Sequence, residues 1–416
     1  MQVAVIGGGV IGVSTAYFLA AAGHQVVVIE RYGNVAQETS YGNAGLVSAG
    51  QAVPWAAPGM PRKILSRLLK SETAVMLKPT MDPALWRWIR KWLPECDPER
   101  FRINTRRMQR VALYSQHLMR QMREHYDIRY DLTRGLLQLF RTPQDVEAAR
   151  AAMELLVEAG IEHRLIDTDA ARMIEPALGV HTPLAAALHL PADESGNCPL
   201  FSRHLKNITQ QLGAEFHFNS TVKNIEQDGD RLRFHIDDRS FTADAVVLAA
   251  GMDSMALLEP LGIRVPLYPV KGYSATAFIK NFDQAPLASL FDENYKVAIT
   301  RMGSRIRVAG TAELGSRTLH LHGTALRTLA KVGDDWFPDA ANYSTSTFWC
   351  GARPMLSDET PLIGPTPVRN LYINIGHGSS GWTMAAGCGK IVADLVSGHA
   401  PDIDMEGLTL ARYGKA

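Results

Sequence analysis

The sequence is poor in cysteine and carries almost no net charge. Its four cysteines, Cys96, Cys198, Cys350 and Cys388, are widely spaced over 416 residues and form no CxxC pair. This spacing argues against a disulfide framework and against a zinc site, and it fits a reducing compartment. The formal net charge is only +1, so no overall field favours a nucleic-acid partner.

Long apolar runs and hydrolase motifs are also missing. No stretch approaches the ~20 residues that a membrane-spanning helix needs. The first residues, QVAVIGG, have the pattern of a β-strand rather than of a signal peptide. Neither GxSxG nor HExxH occurs, so nucleophilic hydrolysis and metal chemistry have no support. With 46% hydrophobic and 20% charged residues, the composition predicts a folded globular protein of two or three domains.

What the sequence does contain is a glycine-rich turn directly after its first strand. Gly7, Gly9 and Gly12 have GxGxxG spacing, and a helical run and a second strand ending in Glu30 follow. Gly7 permits the tight turn, Gly9 lets a pyrophosphate approach, and Gly12 lets the helix pack closely. The helix start offers N–H groups to phosphates, and Glu30 is placed to accept hydrogen bonds from ribose hydroxyls. The context predicts a dinucleotide site, although the motif alone also occurs for packing.

Two later strands end in glycine as well. AVVLAAG ends at Gly251, and LYINIG ends at Gly376. Sheet strands therefore return to the nucleotide domain in the middle and near the end of the chain, so this domain can wrap a long cofactor. The arrangement favours FAD over NAD, between which the first motif does not choose.

Several motifs in a fixed order give the chain a family resemblance. They are GGGVIGVSTAYFL, ETSYGNAGLVSAG, ADESGNCP, VVLAAG, YPVKGYS, GARPMLSDETPLIG and GHGSSGWTMAAG. Over essentially its whole length the chain resembles the small-subunit type of D-amino-acid dehydrogenase, within the family of D-amino-acid oxidase and glycine oxidase. The resemblance implies an α/β fold with a discontinuous Rossmann-type FAD-binding domain of residues 1–52, 145–264 and 346–416. Residues 53–144 and 265–345 are then a smaller α+β substrate domain, with an antiparallel sheet and a helical insert.

The resemblance also implies the cofactor residues. The loop from Thr39 to Gly45 lines the pyrophosphate and the flavin ring, although a polar turn has the same composition. Val222 contacts adenine through its backbone, whereas alone it would pass as a core residue. The full set is Val3, Ile6, Gly7, Gly9, Val10, Ile11, Gly12, Glu30, Arg31, Thr39, Ser40, Asn43, Ala44, Gly45, Leu46, Val222, Ala250, Gly251, Gly351, Gly376, His377, Gly378, Ser379, Ser380, Gly381 and Trp382.

The glycine-rich loop of residues 376–381 opens the last helical run. By the resemblance, this loop and helix point at the pyrimidine edge of the flavin, where their N–H groups and the helix dipole stabilise negative charge. Glycines there would equally allow close helix packing. Cys350 lies near the position where some flavoproteins of the superfamily bind the cofactor through sulfur. The motif aligns Gly351 with that position, so we expect non-covalent FAD.

The substrate residues follow from the chemistry of an α-amino acid. A planar guanidinium holds a carboxylate through two bonds, and in relatives the arginine that matches Arg353 binds the substrate carboxylate. Tyr273 and Tyr295 lie in the segments that form the substrate sheet in relatives, so a hydroxyl at the site and simple packing are both open for them. His377 is kept as a flavin-side residue, because hydride transfer from a neutral amine needs no enzyme base. Lys271 is either a pocket cation or a surface charge.

The helical insert of residues 60–131 has basic and aromatic stretches. In PALWRWIRKWL, Trp88 and Trp92 recur with the basic Arg87, Arg90 and Lys91 around them. Such a composition suits a membrane interface or a docking face for an electron acceptor. A helix that packs its aromatic residues into the substrate domain has the same pattern.

The resemblance implies FAD-dependent oxidative deamination of a D-amino acid such as D-alanine to a 2-oxo acid and ammonia. Electrons pass to a quinone or another respiratory-chain acceptor, and the protein is cytoplasmic or associated with the inner face of the cell membrane. No residue pattern derives the D configuration or the acceptor. One alternative is an oxidase of glycine, sarcosine or another secondary amine such as a hydroxyproline isomer. The other is a non-catalytic flavin subunit for electron transfer.

Overall fold

The computed structural model of the chain describes residues 1–67, 73–237 and 239–414, and only the backbone of residues 65–67. In chain order its helices are α1 Val10–Ala21, α2 Met60–Arg67, α3 Pro83–Trp92, α4 Pro98–Tyr126, α5 Pro143–Glu158, α6 Thr168–Ile174, α7 Cys198–Gln211, α8 Ser254–Leu258, α9 Gly323–Trp336 and α10 Gly381–Val396. Its strands are β1 Gln2–Ile6, β2 Gln25–Ile29, β3 Leu46–Val47, β4 Val75–Leu77, β5 Thr133–Phe140, β6 Arg164–Ile166, β7 Ala186–Ser195, β8 Glu215–His217, β9 Val222–Asp228, β10 Arg231–Ile236, β11 Arg239–Ala243, β12 Ala245–Leu248, β13 Tyr268–Phe278, β14 Ser289–Asp292, β15 Val297–Met302, β16 Arg305–Leu314, β17 Thr347–Met355, β18 Leu362–Pro365 and β19 Leu371–Ile375.

The first sheet has six strands in the order β18–β19–β12–β1–β2–β8. All of its pairs are parallel except β18 with β19. The central strand β1 is apolar on both faces, because Val3 and Val5 enter one core cluster and Ala4 and Ile6 enter another. Such a run is what a parallel strand covered on both sides requires. We call this sheet the nucleotide sheet.

Helices α1, α4, α7 and α10 contribute to the core on one face of the nucleotide sheet, and β9, β10, β11 and α8 contribute to the core on the other. Glycines in α10 allow the close helix packing on the first face. A Cβ at Gly389 would lie 2.8 Å from the carbonyl carbon of Ser14 in α1, and one at Gly387 would lie 2.9 Å from the carbonyl oxygen of Val111 in α4. The last helix is therefore wedged between α1 and α4.

The second sheet has ten strands and is mostly antiparallel. Its order is β17–β13–β16–β15–β14–β5–β7–β3, with β4 beside β16 and β6 beside β7. Helix α9 packs against β13 and β16, and Trp336 and Leu329 of that helix are fully buried. We call this sheet the substrate sheet. The predicted α/β fold, with an antiparallel sheet in its second part, is confirmed.

The sheet pairings and helix packing cross the predicted domain boundaries. Strands β6 and β7 pair with each other and β7 pairs with β5, so residues 164–166 and 186–195 belong to the substrate sheet. Strand β17, which was assigned to the FAD-binding domain, is hydrogen-bonded to β13. Helix α4, which was assigned to the substrate domain, packs on α10. These pairings join segments far apart in sequence, and local patterns do not encode them. The domain boundaries therefore stay predictions.

Candidate active site

The glycine motif has the geometry that its spacing predicts. Gly7 has φ +109°, and a Cβ there would lie 2.5 Å from the carbonyl oxygen of Ala249, at the end of β12. A Cβ at Gly12 would lie 1.9 Å from the carbonyl oxygen of Gly7, so only glycine lets α1 approach the turn. A Cβ at Gly9 would have the Ser40 Oγ as its nearest neighbouring heavy atom, at 3.4 Å. The backbone of Gly9 is therefore open to a ligand.

Glu30 lies at the end of β2, directly under this turn. Its carboxylate accepts the N–H of Gly8 at 2.6 Å through Oε2 and the N–H of Tyr32 at 2.8 Å through Oε1. Burial raises the pKa of this carboxyl group above its ordinary value. The next residue, Arg31, forms ion pairs with Glu38 and Asp253, both at 2.6 Å. Glu30 thus lies at the edge of the sheet where a ribose is expected, and its ribose contact stays a prediction.

Two helix N-termini at this edge lack a side-chain cap. The N-cap residues of α1 and α10 are Gly9 and Ser380, and neither side chain accepts a hydrogen bond from the first turn. By contrast, α3, α4, α5, α6 and α7 each begin with an Asp, Thr or Asn side chain that accepts such a bond. At α1, the N–H of Val10 donates to the Ser40 Oγ at 3.1 Å. Uncapped N-termini can bind an anion or an electron-rich ligand edge.

The predicted flavin loop of residues 39–46 is bonded to the substrate sheet. The Thr39 hydroxyl donates to the carbonyl of Ala352 in β17 at 2.9 Å, and the Thr300 hydroxyl donates to the carbonyl of Ala44 at 2.8 Å. Inside the loop, the Asn43 Oδ1 accepts the N–H of Gly45 at 2.7 Å. The loop therefore bridges the two sheets.

A buried cation that the sequence reasoning missed supports the same loop. The guanidinium of Arg307, in β16, donates to the carbonyls of Tyr41 at 2.8 Å and Asn43 at 3.0 Å, and to the Thr276 hydroxyl at 3.1 Å. Burial lowers the pKa of Arg307 to about 10. Because these partners lie far apart in sequence, only the alternation of RIRVAG could have marked Arg307 as a residue facing one side of the sheet.

The glycine-rich loop after β19 has the conformation that only glycine adopts readily. Gly376 has φ +80° and Gly378 has φ +52°. Between them, His377 is buried, and its Nε2 has no partner within the described part of the chain. Burial lowers the pKa of its imidazole to about 3, so His377 is neutral near neutral pH. A neutral ring with an open nitrogen fits a flavin-side residue rather than a cationic acid.

A cavity of about 870 Å³ lies between the two loops and the substrate sheet. Ten predicted site residues line it: Thr39, Asn43, Ala44, Leu46, Tyr273, Gly351, Arg353, Gly378, Ser379 and Ser380. Its far end is lined by mostly apolar residues of α3, α4 and α5, among them Ile89, Phe101 and Ala149. The cavity therefore joins the predicted flavin and substrate groups to an apolar corridor under the helical insert.

Arg353 lies at the substrate end of this cavity. Its guanidinium donates only long hydrogen bonds, to the carbonyls of Thr311 at 3.3 Å and Gly310 at 3.4 Å. The Trp55 ring centroid lies 5.5 Å from the Cζ of Arg353. Burial lowers the pKa of Arg353 to about 10, so the group stays charged near neutral pH. Sequence reasoning missed Trp55, which PWAAP marks only as a loop residue between two prolines.

The two predicted catalytic tyrosines do not present a free hydroxyl to the cavity. The hydroxyl of Tyr273 donates to the Glu313 Oε2 at 2.5 Å, and burial together with this carboxylate raises the pKa of the phenol. Tyr295 does not line the cavity, and its ring centroid lies 4.9 Å from the Cζ of Arg141. Each side chain packs against a charged group on the face of the sheet that carries α9, although Tyr273 also lines the cavity. Their catalytic roles stay predictions.

The remaining predicted cofactor residues occupy three kinds of position. Around the β1 turn and the end of β12, Val3 and Ile6 are buried in β1, Val10 and Ile11 begin α1, and Ala250 and Gly251 follow β12. Val222 begins β9, next to the carboxyl end of β8. Gly381 and Trp382 begin α10, and the Trp382 ring packs against Tyr130 and Phe201 at centroid distances of 5.8 Å. Its indole Nε1 has no hydrogen-bond partner among the described residues.

The residues present fit FAD. The uncapped start of α1 with its open Gly9, the unpartnered Nε2 of His377 and the small residues around the cavity form a cradle at the edge of the nucleotide sheet. The glycine turn and Glu30 would hold the dinucleotide part, and the residue 39–46 and 376–381 loops would hold the flavin. When bound, FAD supplies the two-electron acceptor.

Fold and site together define an FAD-dependent oxidoreductase. The family model described as FAD dependent oxidoreductase (DAO) matches residues 2–395, and the chain belongs to this family. It is 43% identical to D-amino acid dehydrogenase 1 of Mesorhizobium japonicum, covering 100% of both chains. It is 42% identical to D-amino acid dehydrogenase of Bradyrhizobium diazoefficiens, covering 99% of both chains. These findings confirm the predicted resemblance, and with it an enzyme that uses FAD.

Solved structures share the fold at low identity. The glycine oxidase of Geobacillus kaustophilus matches with a TM-score of 0.77 at 22% identity, covering 99% of both chains. An L-α-glycerophosphate oxidase of Mycoplasma pneumoniae with FAD bound matches with a TM-score of 0.69 at 17% identity, covering 95% of this chain and 94% of that one. Both confirm the Rossmann-type architecture.

Proposed function

We propose that this enzyme oxidatively deaminates D-amino acids such as D-alanine to 2-oxo acids and ammonia. The observation that carries the proposal is Arg353, a charged group in the cavity whose donors are engaged only in long bonds to backbone carbonyls. Relatives at 42–43% identity over the full chain that are named D-amino acid dehydrogenase support the substrate class.

In this proposal the chain's own residues position the substrate. Arg353 holds the carboxylate through its two-pronged guanidinium, which fixes the amino acid in one orientation. Trp55 covers this group and excludes water from it. The N–H groups of the residue 376–381 loop and the start of α10 stabilise the negative charge that develops nearby during oxidation. The imino acid that leaves the site is hydrolysed by water to the 2-oxo acid and ammonia.

We also propose that the electrons reach a quinone or another respiratory-chain acceptor at a membrane surface. The apolar corridor under α3, α4 and α5 supports an apolar acceptor. The exposed side of α3, with Trp86, Arg87, Arg90 and Lys91, supports contact with an anionic surface.

The test of the reaction is anaerobic mixing of the purified yellow protein with a panel of D- and L-amino acids. We expect bleaching of the flavin absorbance by D-alanine and other D-amino acids, and none by the L-enantiomers. Reduction by glycine or sarcosine alone, with peroxide formed in air, would support an oxidase of secondary amines instead. A protein that no amino acid bleaches would be an electron-transfer subunit.

A further inference from the structure

Glu359 is a buried carboxylate next to the substrate site that the proposed reaction does not use. It follows β17 in the segment SDETP, and its side chain is 1% exposed. Its Oε2 is buried and has no hydrogen-bond partner in the described part of the chain. Its backbone has φ +60°, a left-handed conformation that non-glycine residues rarely adopt. A buried carboxyl oxygen and a strained backbone are both unfavourable, and such costs cluster at functional sites.

The other oxygen of Glu359 fixes the segment that covers Arg353. Its Oε1 accepts the N–H of Trp55 at 2.6 Å and the N–H of Ala56 at 3.3 Å. The ring of Trp55 lies on the guanidinium of Arg353. Because both donors are backbone groups, Glu359 fixes the position of the backbone at residues 55 and 56. That backbone in turn fixes the position of the Trp55 indole ring.

Glu359 also acts on Arg353 through its charge. Each group shifts the pKa of the other towards its charged form, although no ion pair joins them among the described residues. Two other titratable groups face Glu359, Asp358 and Cys96. Asp358 is bound to Arg412 at 2.7 Å. The charge of Arg353 is thus offset by Glu359 without a direct ion pair, while the guanidinium makes only long hydrogen bonds to the carbonyls of Thr311 and Gly310 among the described residues.

We propose that Glu359 is a positioning residue of the substrate site, which holds Trp55 over Arg353 and whose ionisation weakens the binding of a carboxylate there. The proposal rests on the proposed function, because it takes Arg353 as the group that binds the substrate carboxylate. Under this proposal, the site binds a carboxylate more tightly when Glu359 is neutral than when Glu359 is ionised.

The direction of the pH dependence follows from linkage. Burial raises the pKa of Glu359 to about 8. A carboxylate bound at Arg353 repels the ionised form of Glu359, so binding favours the protonated form and is accompanied by proton uptake. Affinity is therefore highest below the pKa of Glu359 and falls as the pH rises through it.

The test is calorimetric titration of the FAD-loaded enzyme with propionate, a carboxylate without an amine, between pH 6.5 and 9.5. For the unchanged protein we expect the Kd to rise about fivefold or more across this range. Glu359→Gln keeps an oxygen for the Trp55 and Ala56 N–H groups but loses the charge, so it should bind tightly with no pH dependence. Glu359→Ala loses both, so it should bind about fivefold or more weakly at every pH than Glu359→Gln, with faster amide exchange in residues 53–58.

Asp358→Asn is the matched control, because it removes the neighbouring buried carboxylate while Glu359 is kept. The pH dependence of propionate binding should persist, with its midpoint at lower pH, because the charge of Asp358 raises the pKa of Glu359. Trp55→Ala should weaken binding but also keep the profile, and it remains informative where a Glu359 variant does not fold. An unchanged pH profile in Glu359→Gln, or equal affinities of the Gln and Ala variants, would overturn the proposal. Propionate is not oxidised, so a failure of D-amino acids to bleach the flavin would contradict the proposed reaction independently of this titration.

Discussion

At the scale of single residues, the absence of a side chain at Gly272 makes room for the guanidinium of Arg353. A Cβ at Gly272, in β13, would lie 2.4 Å from the Cζ of Arg353 on the neighbouring strand. With no side chain there, the guanidinium lies next to Gly272, and the Trp55 ring centroid lies 5.5 Å from its Cζ. The position and the exposure of the Arg353 guanidinium thus depend on Gly272 in β13 and on Trp55.

Arg353→Lys should lower kcat/KM for D-alanine by an amount that corresponds to about 2–4 kcal/mol of transition-state binding. Lysine keeps the charge but loses the planar pair of donors that matches a carboxylate. Steady-state kinetics measure this effect, and Arg369→Lys, at an exposed ion pair with Asp230, is the control with the same chemical change. A loss below about tenfold would show that another group binds the carboxylate.

Sequence alone predicted some of these residues and not others. Arg353 lies in a motif that the resemblance covers, and Gly7 and Gly12 have spacing with a direct steric meaning. Glu359 and Arg307 act on loops about 300 and 260 residues away in the chain. No local periodicity records such contacts, because burial of a charged side chain depends on the folded neighbours.

At the scale of elements, strand β13 separates two functions between its faces. Gly272 faces Arg353, whereas Lys271 and Tyr273 face the opposite side, which carries α9. There Lys271 forms a buried ion pair with Glu313 at 2.9 Å, and Tyr273 donates to the same carboxylate. Lys271 also donates to the carbonyls of Thr318 and His320. Lys271 is therefore a buried structural cation, which resolves the alternatives left by the sequence.

Tyr273→Phe should lower the free energy of unfolding by about 1–2 kcal/mol, because Glu313 loses a donor in a buried place. We expect kcat/KM to change by less than about threefold, since the hydroxyl is already engaged by Glu313. Thermal unfolding and steady-state kinetics measure the two effects. Tyr295→Phe, whose ring contact with Arg141 persists, should change neither. A large kinetic loss without destabilisation would restore Tyr273 as a catalytic residue.

The elements that sequence predicted well are those with a complete local signal. The β1–α1–β2 unit combines an apolar strand, a turn with fixed glycines and a helix, so its place in a parallel sheet follows. Strand β7 was missed because Pro191 interrupts its pattern, and because its neighbours β5 and β3 are about 50 and 150 residues away. The pairing energy of such a strand comes from partners that the local sequence does not show.

At the scale of the whole molecule, the helical insert presents different sides to the core and to solvent. Trp88 and Trp92 of α3 are buried and stack at 6.1 Å, so they are core residues and not an interface belt. Trp86 is 52% exposed. No helix in the described ranges is long and apolar enough to cross a membrane.

Replacing Arg87, Arg90 and Lys91 together with Gln should reduce co-sedimentation with anionic lipid vesicles about tenfold or more, because each cation near such a surface contributes about 1 kcal/mol. The control replaces Arg129, Arg150 and Arg164, which are exposed elsewhere and change the net charge equally. Added salt should weaken binding of the unchanged protein. Equal sedimentation of both variants would mean that α3 is not the lipid-binding surface.

The strand order of the nucleotide sheet has a consequence for biosynthesis. Strand β19, which ends at Ile375, is hydrogen-bonded to β12, and α10 is wedged against α1, which carries the first glycine motif. A nascent chain on the ribosome therefore cannot close this sheet until β19 and α10 have emerged. We expect stable flavin binding only after that point, so a protein that stops before β19 should be released colourless.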